Sequence, residues 1–226
     1  MKILLKFLLV AALSFAVVKA WYYCADPSTL PIKHVKVVGR FAHIERQPLQ
    51  ALLTPYLEAG FLTTDFTSLK QCVLGMPWVE AIRVERIWPD TVIVHISEQQ
   101  AIARWGSDAL LAASGQVFRP PLETFPKDLP LLQSGESDKA ADVLQAYKQM
   151  LAILTSLQES IASLDGNEQN SWCLITKRGI TLLLTKAAAA QELNDFVAAY
   201  AKVFAGSERR PISVDLRYPN GFAVKW

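Results

Sequence analysis

Cysteine and histidine are scarce, three of each in 226 residues. Cys24, Cys72 and Cys173 stand far apart, with no CxxC pair and no His-x3-His companion, which excludes a zinc site of the usual spacing. The odd number leaves at least one thiol unpaired within the chain, and all three are expected to be packed, unbonded cysteines. A surplus of one charge is missing too: 23 Lys+Arg against 21 Asp+Glu leave a formal charge of +2. Nucleic-acid binders of this size usually carry a basic excess, so DNA and RNA are not expected as partners. Repeats and low-complexity tracts are absent, and 51% apolar content argues against a disordered tail. So are the nucleophile elbow, the phosphate loop, the HExxH pair and the GxGxxG turn. Thr67-Ser68-Leu69-Lys70 is a poor SxxK: it begins with Thr, lies in an amphipathic helical pattern and has no KTG downstream. No catalytic residue, cofactor, metal or small-molecule substrate is therefore expected, and the chain is not expected to be an enzyme. His34, His43 and His95 read as exposed surface histidines, and Glu85, Asp90 and Glu98 as solubilising or turn carboxylates.

What is present begins with an apolar N-terminus. Phe7 to Val18 carries no charge, Lys2 and Lys6 precede it, and Lys19 and the cluster Trp21-Tyr22-Tyr23 follow. The dozen charge-free residues, with Val18-Lys19-Ala20 after them, fit a cleaved signal peptide. Counted from Ile3 to Tyr23, with both lysines extended toward opposite interfaces, the stretch spans roughly 31 Å as a helix, enough to cross a bilayer. The aromatic cluster then falls where an interfacial belt belongs, and Trp after a cleavage site would be unusual, so the retained anchor is preferred. Residues 1-2 become a short cytoplasmic tail, 3-24 the transmembrane anchor and 25-31 a linker. Cys24 is no lipoprotein cysteine, because the residues before it are too bulky.

Two domains are expected beyond Pro31. From Ile32 the order is a strand with Val35 and Val37 inward, and a helix over Glu45 to Leu57 with Leu49, Leu52, Leu53 and Tyr56 on one face. A second helix follows, capped by Thr64 or Asp65 and carrying Leu69, Cys72, Val73 and Met76, and then two strands joined at Trp88-Pro89-Asp90. Pro89 is placed at the first central turn position. Residues 99-226 read as short strands over Ala101 to Trp105, Ala109 to Ala112 and Leu129 to Leu132. A helix capped by Ser137 or Asp138 comes next, its stripe of Leu144, Tyr147, Leu151 and Leu154 packed on a sheet rather than in a coiled coil. Strands at Ser171 to Thr176 and Thr181 to Leu184 precede a helix over Ala187 to Ala205. A closing hairpin follows, with Pro219-Asn220 as a type I turn and Gly221 in a left-handed bulge. The outer flank of the last strand, Phe222 to Trp226, is either an open edge that accepts a foreign strand or covered internally with its apolar side chains in the core; alternation leaves both open.

Arg83-Val84-Glu85-Arg86-Ile87-Trp88-Pro89-Asp90, Ala101-Ile102-Ala103-Arg104-Trp105, and Val214-Asp215-Leu216-Arg217-Tyr218 with Gly221 and Trp226 resemble the FtsQ/DivIB family of bacterial cell division proteins. The match runs from about Pro31 to Trp226. It implies an α+β protein: an N-terminal transmembrane helix, a POTRA domain (βααββ) over 32-98, and a β-domain over 99-226 with a mixed sheet and two helices. The family is a non-enzymatic scaffold of the divisome, essential for septum formation and linking early and late division proteins. The resemblance therefore implies a single-pass type II protein of the cell inner membrane, with its bulk in the periplasm at the septum, that controls septal peptidoglycan synthesis through partners. It further implies capture of FtsB, from the FtsB/FtsL coiled coil, by strand addition at the C-terminal edge. Carried over, the partner-binding residues are Arg217, paired with an acidic side chain, Tyr218 and Trp226 as apolar anchors, and Asn220, Gly221 and Phe222 in the turn and strand. FtsK is implied as a partner of the POTRA domain around its second helix and the following strand. Where members can carry a basic residue before the Ser171-Trp172 pair, this chain has Asn170. Two other readings are a POTRA-type periplasmic chaperone or protein-transport module, disfavoured by the single POTRA unit, and a secreted cell-wall enzyme.

Overall fold

Helix α1 (Lys2–Ala25) takes up the apolar N-terminus in a computed structural model that describes residues 2–26, 28–135, 139–167, 170–203, 210–219 and 221–226. Its Lys6–Tyr23 stretch is long and apolar enough to cross a membrane, and every side chain in that stretch is exposed. At its end the Asp26 carboxylate accepts hydrogen bonds from the Ser28 amide and hydroxyl, at 2.8 and 2.6 Å, and the Thr29 amide donates to the Asp26 carbonyl. The two Ser28 bonds, that of the hydroxyl first, hold the carboxyl below its ordinary range, and together with the Thr29 bond they fold the linker into a turn.

The body of the chain divides into two compact units, which meet in sequence at Gln99 and Gln100. In the first, β1 (His34–Val38), α2 (Arg46–Leu57), α3 (Phe66–Leu74), β2 (Val79–Ile87) and β3 (Thr91–Glu98) form a βααββ fold whose sheet runs β1-β3-β2. β3 is central, parallel to β1 and antiparallel to β2. Its alternation puts Val92, Val94 and Ile96 on the covered face, where Leu49 and Leu53 of α2 and Leu69 and Val73 of α3 are also almost wholly buried. Asp65 caps α3 by accepting from the Thr67 and Ser68 amides. Gly39 ends β1 because a β-carbon there would lie 2.5 Å from the Ile96 carbonyl oxygen.

Several expectations change here. β1 is an edge strand, so Val35 is 44% exposed rather than inward. The Trp88–Pro89 peptide in the turn between β2 and β3 is cis. His43 is no free surface histidine: its ring stacks on Trp78 at 3.9 Å and its Nδ1 lies 2.7 Å from the Glu98 carboxylate. Glu98 in turn is no solubilising carboxylate, since its oxygens accept from the Ala42 and His43 amides and its side chain is only 9% exposed. His95 likewise is half-buried, 3.5 Å from Glu85.

The second unit contains β4 (Ala101–Trp105), β5 (Ala109–Ala112), β6 (Val117–Phe118), β7 (Leu131–Ser134), α4 (Ala140–Leu154), β8 (Ile161–Gly166), β9 (Ser171–Thr176), β10 (Thr181–Thr185), α5 (Ala189–Val203), β11 (Ser213–Asp215) and β12 (Ala223–Lys225). The sheet order is β12-β11-β10-β9-β8-β7-β4-β5-β6. Two of its neighbour pairs, β7/β8 and β10/β11, are parallel and joined through a helix. Parallel neighbours need a long crossover connection, and in these two pairs it is a helix, which is what lays α4 and α5 against the sheet and against each other. The core between them includes Leu132, Met150, Leu154, Leu164, Leu182 and Leu193. Leu144 and Leu154 of the expected α4 stripe are buried, with Tyr147 and Leu151 half-buried, as a helix packed on a sheet requires. The caps expected at Ser137 and Asp138 lie outside the described residues. Cys72 and Cys173 are free and half-buried, and burial, then Asp165, pushes the Cys173 thiol above its usual range.

β8 has no counterpart among the expected strands. Its buried residues, Ile161, Leu164 and Gly166, break the period of two because the register with β9 shifts between Ile161 and Ser163.

Candidate functional site

The C-terminal edge of the large sheet is built from the inside outward. In α5, Leu193 and Phe196 point into the core, fully and almost fully buried. Val214 of β11 and Leu216 just after it are buried on the same core, while Ile212 is 56% exposed. The Leu216 amide donates to the Leu183 carbonyl and the Thr181 amide to that of Ile212, which fixes β11 beside β10. β12 pairs antiparallel with β11, Val214 facing Val224 and Asp215 facing Ala223.

β12 stands last in the sheet order, so among the described residues no strand pairs with the outer flank of Ala223–Lys225. Phe222 and Val224 are half-buried against the core, and the Phe222 ring meets Phe196 edge-on with centroids 6.3 Å apart. Phe222 thus braces the edge from within instead of standing free on it. Tyr218 and Trp226 are the exposed aromatics here, at 59% and 46%. A shallow cleft of about 430 Å³ lies along Tyr218, Pro219, Gly221, Phe222 and Ala223.

The hairpin differs from the three-residue loop expected. β11 ends at Asp215 and β12 starts at Ala223, a longer connection, and Gly221 has φ 155°, far from the left-handed bulge. Asn220 lies outside the described residues. Arg217 is engaged within the chain: its Nε and Nη2 donate to the two Asp215 oxygens at 2.8 and 2.6 Å, and its amide donates to the same carboxylate. The hydrogen bond from Arg217 holds the Asp215 carboxyl below its ordinary value, and Asp215 in turn raises the guanidinium. Asp215 escaped the sequence reading, although residues two apart on a strand share a face and an Asp at that spacing from an Arg is the signal for such a fork. Lys225, an exposed charge on the edge strand itself, was also not among the expected residues.

This arrangement offers backbone donors and acceptors, two exposed aromatics and a fixed cation, and is suited to holding a strand. Comparison with known proteins agrees with the resemblance seen in the residues. Residues 103–217 match the family model for the C-terminal region of cell division protein FtsQ/DivIB, and residues 30–99 match the FtsQ-type POTRA domain. The first match stops before β12. A cell division protein FtsQ of Allochromatium vinosum is 37% identical over 89% of this chain and 80% of its own length. Those of Coxiella burnetii (31%, 89% and 82%) and Methylomonas methanica (32%, 98% and 90%) are similar throughout as well.

Proposed function

The chain belongs to the FtsQ/DivIB family of cell division proteins, and from that premise we propose that it is a non-enzymatic divisome scaffold that captures FtsB, from the FtsB/FtsL coiled coil, by strand addition on β12. The observation that carries the proposal is the place of β12 at the end of the sheet order, its outer flank facing no described strand. An extended segment laid there gains main-chain hydrogen bonds for affinity and meets Tyr218 and Trp226 for specificity. Arg217 spends two N–H groups on Asp215 and keeps others of its five donors for an acidic partner side chain. Phe222 and Gly221 shape the cleft beside that strand.

In this reading α1 holds the protein in the inner membrane as a single-pass anchor and both units work in the periplasm at the septum. The unit over 32-98 recruits the protein through FtsK around α3 and β2, and the unit over 99-226 passes the signal on to septal peptidoglycan synthesis. Tyr218→Ala and Trp226→Ala test the edge. Exposed aromatic anchors of this kind cost about 2 kcal/mol or more on truncation, roughly 30-fold in Kd. Pull-down of FtsB by the full chain in detergent should fall by that factor while circular dichroism stays unchanged. Wild-type capture by both variants would refute the site.

A further inference from the structure

One end of the first unit carries large apolar side chains that its core does not use. Trp88, at the tip of the β2–β3 hairpin, is 75% exposed, Ile87 beside it 44% and Leu62 40%. The register places Ile87 and Trp88 together with the entry of the chain, because Ile87, Thr91 and His34 face one another at the same end of the sheet. The Lys33 and His34 amides donate to the Asp90 carbonyl at 2.9 and 3.2 Å, and the Phe61 amide donates to that of Leu30 at 2.8 Å. The rim is thus fastened to the segment that emerges from α1.

We infer that this rim, with Trp88 at its tip, rests in the headgroup layer of the membrane that α1 crosses, so that the POTRA unit is held against the bilayer by side chains as well as by its tether. The inference depends on α1 being a membrane anchor. Leu30 follows Ala25 by five residues, which reach at most about 18 Å when extended, and the Asp26 turn shortens that path. Exposed tryptophan favours the interfacial zone, where its ring is apolar and its N–H stays hydrated. Charge does not supply the attraction: Lys33 lies beside Asp90, whose carbonyl its amide meets at 2.9 Å, and Arg86 lies over the Phe66 ring at 4.3 Å. A zwitterionic lipid surface is accordingly sufficient, and salt has little effect.

The full chain carrying Trp21→Phe, which removes the tryptophan of α1, would be reconstituted into phosphatidylcholine vesicles with bromine-labelled acyl chains. Its emission is expected to be quenched, and the quenching to be lost in Trp21→Phe/Trp88→Phe, at low and high salt alike, with unchanged circular dichroism. Equal quenching of both variants, in vesicles that retain the protein through alkaline extraction, would overturn the inference while leaving the anchor intact. Release of the protein by alkali would overturn the anchor and this inference with it.

Discussion

At the residue scale, Arg217, the residue proposed to meet an acidic partner, is already held in place by Asp215. The fork between them is bidentate, but the Arg217 side chain is 42% exposed, so solvent screens the pair and its contribution is about 0.5–1 kcal/mol. Since the folded-state pKa of Asp215 is depressed, that contribution is present above the ordinary carboxylate value of 3.8 and is lost as pH falls through the lower folded value. Asp215→Asn should therefore lower the thermal midpoint slightly at neutral pH and leave it unchanged in strong acid, where the native carboxyl is protonated too. A constant difference from neutral to acid pH would exclude the charged fork as the cause. Arg217 was visible in the sequence as a binding candidate, whereas its prior engagement was not, because pairing depends on where the strand ends as well as on spacing.

At the scale of elements, β12 is kept in position by the contact between Phe222 and Phe196 as well as by its pairing with β11. Phe196→Ala removes a side chain that is 2% exposed and should cost about 3–5 kcal/mol. The edge strand loses its brace at the same time, so FtsB capture should fall together with the melting temperature of the second unit, in contrast to Tyr218→Ala. Unchanged stability would show that the ring contact is incidental. The same elements mark how far sequence pattern reaches. β3 was readable because its alternation matches its buried face, β9 and β10 because they are short apolar runs on either side of Lys177-Arg178-Gly179, and α2, α3 and α5 because their apolar residues recur at helical spacing. β8 was not readable, since its register shift puts buried residues three apart. The closing turn was misjudged because Pro-Asn-Gly chemistry suggests a short loop, while the strands stop early on either side of it. His43 and Glu98 lie far apart in sequence, and nothing local announces their bond.

At the scale of the whole molecule, the boundary at Gln99 and Gln100 separates two sets of contacts, each with its own buried leucines. Contacts concentrated within such units favour local unfolding over loss of the whole. Leu69→Ala empties a site with no exposure in the first unit and Leu174→Ala one in the second, each at about 2–5 kcal/mol. If capture resides on β12, destabilising the first unit should lower one thermal transition and leave FtsB capture at the wild-type level. The equivalent loss in the second unit, whose Leu174 lies on β9 within the sheet that ends in β12, should weaken capture in parallel with stability. Calorimetry and pull-down of the two single variants and of the double variant would decide it, since independent units predict additive changes. Loss of capture by Leu69→Ala at a temperature where the second unit is still folded would move the binding surface, or part of it, onto the POTRA unit.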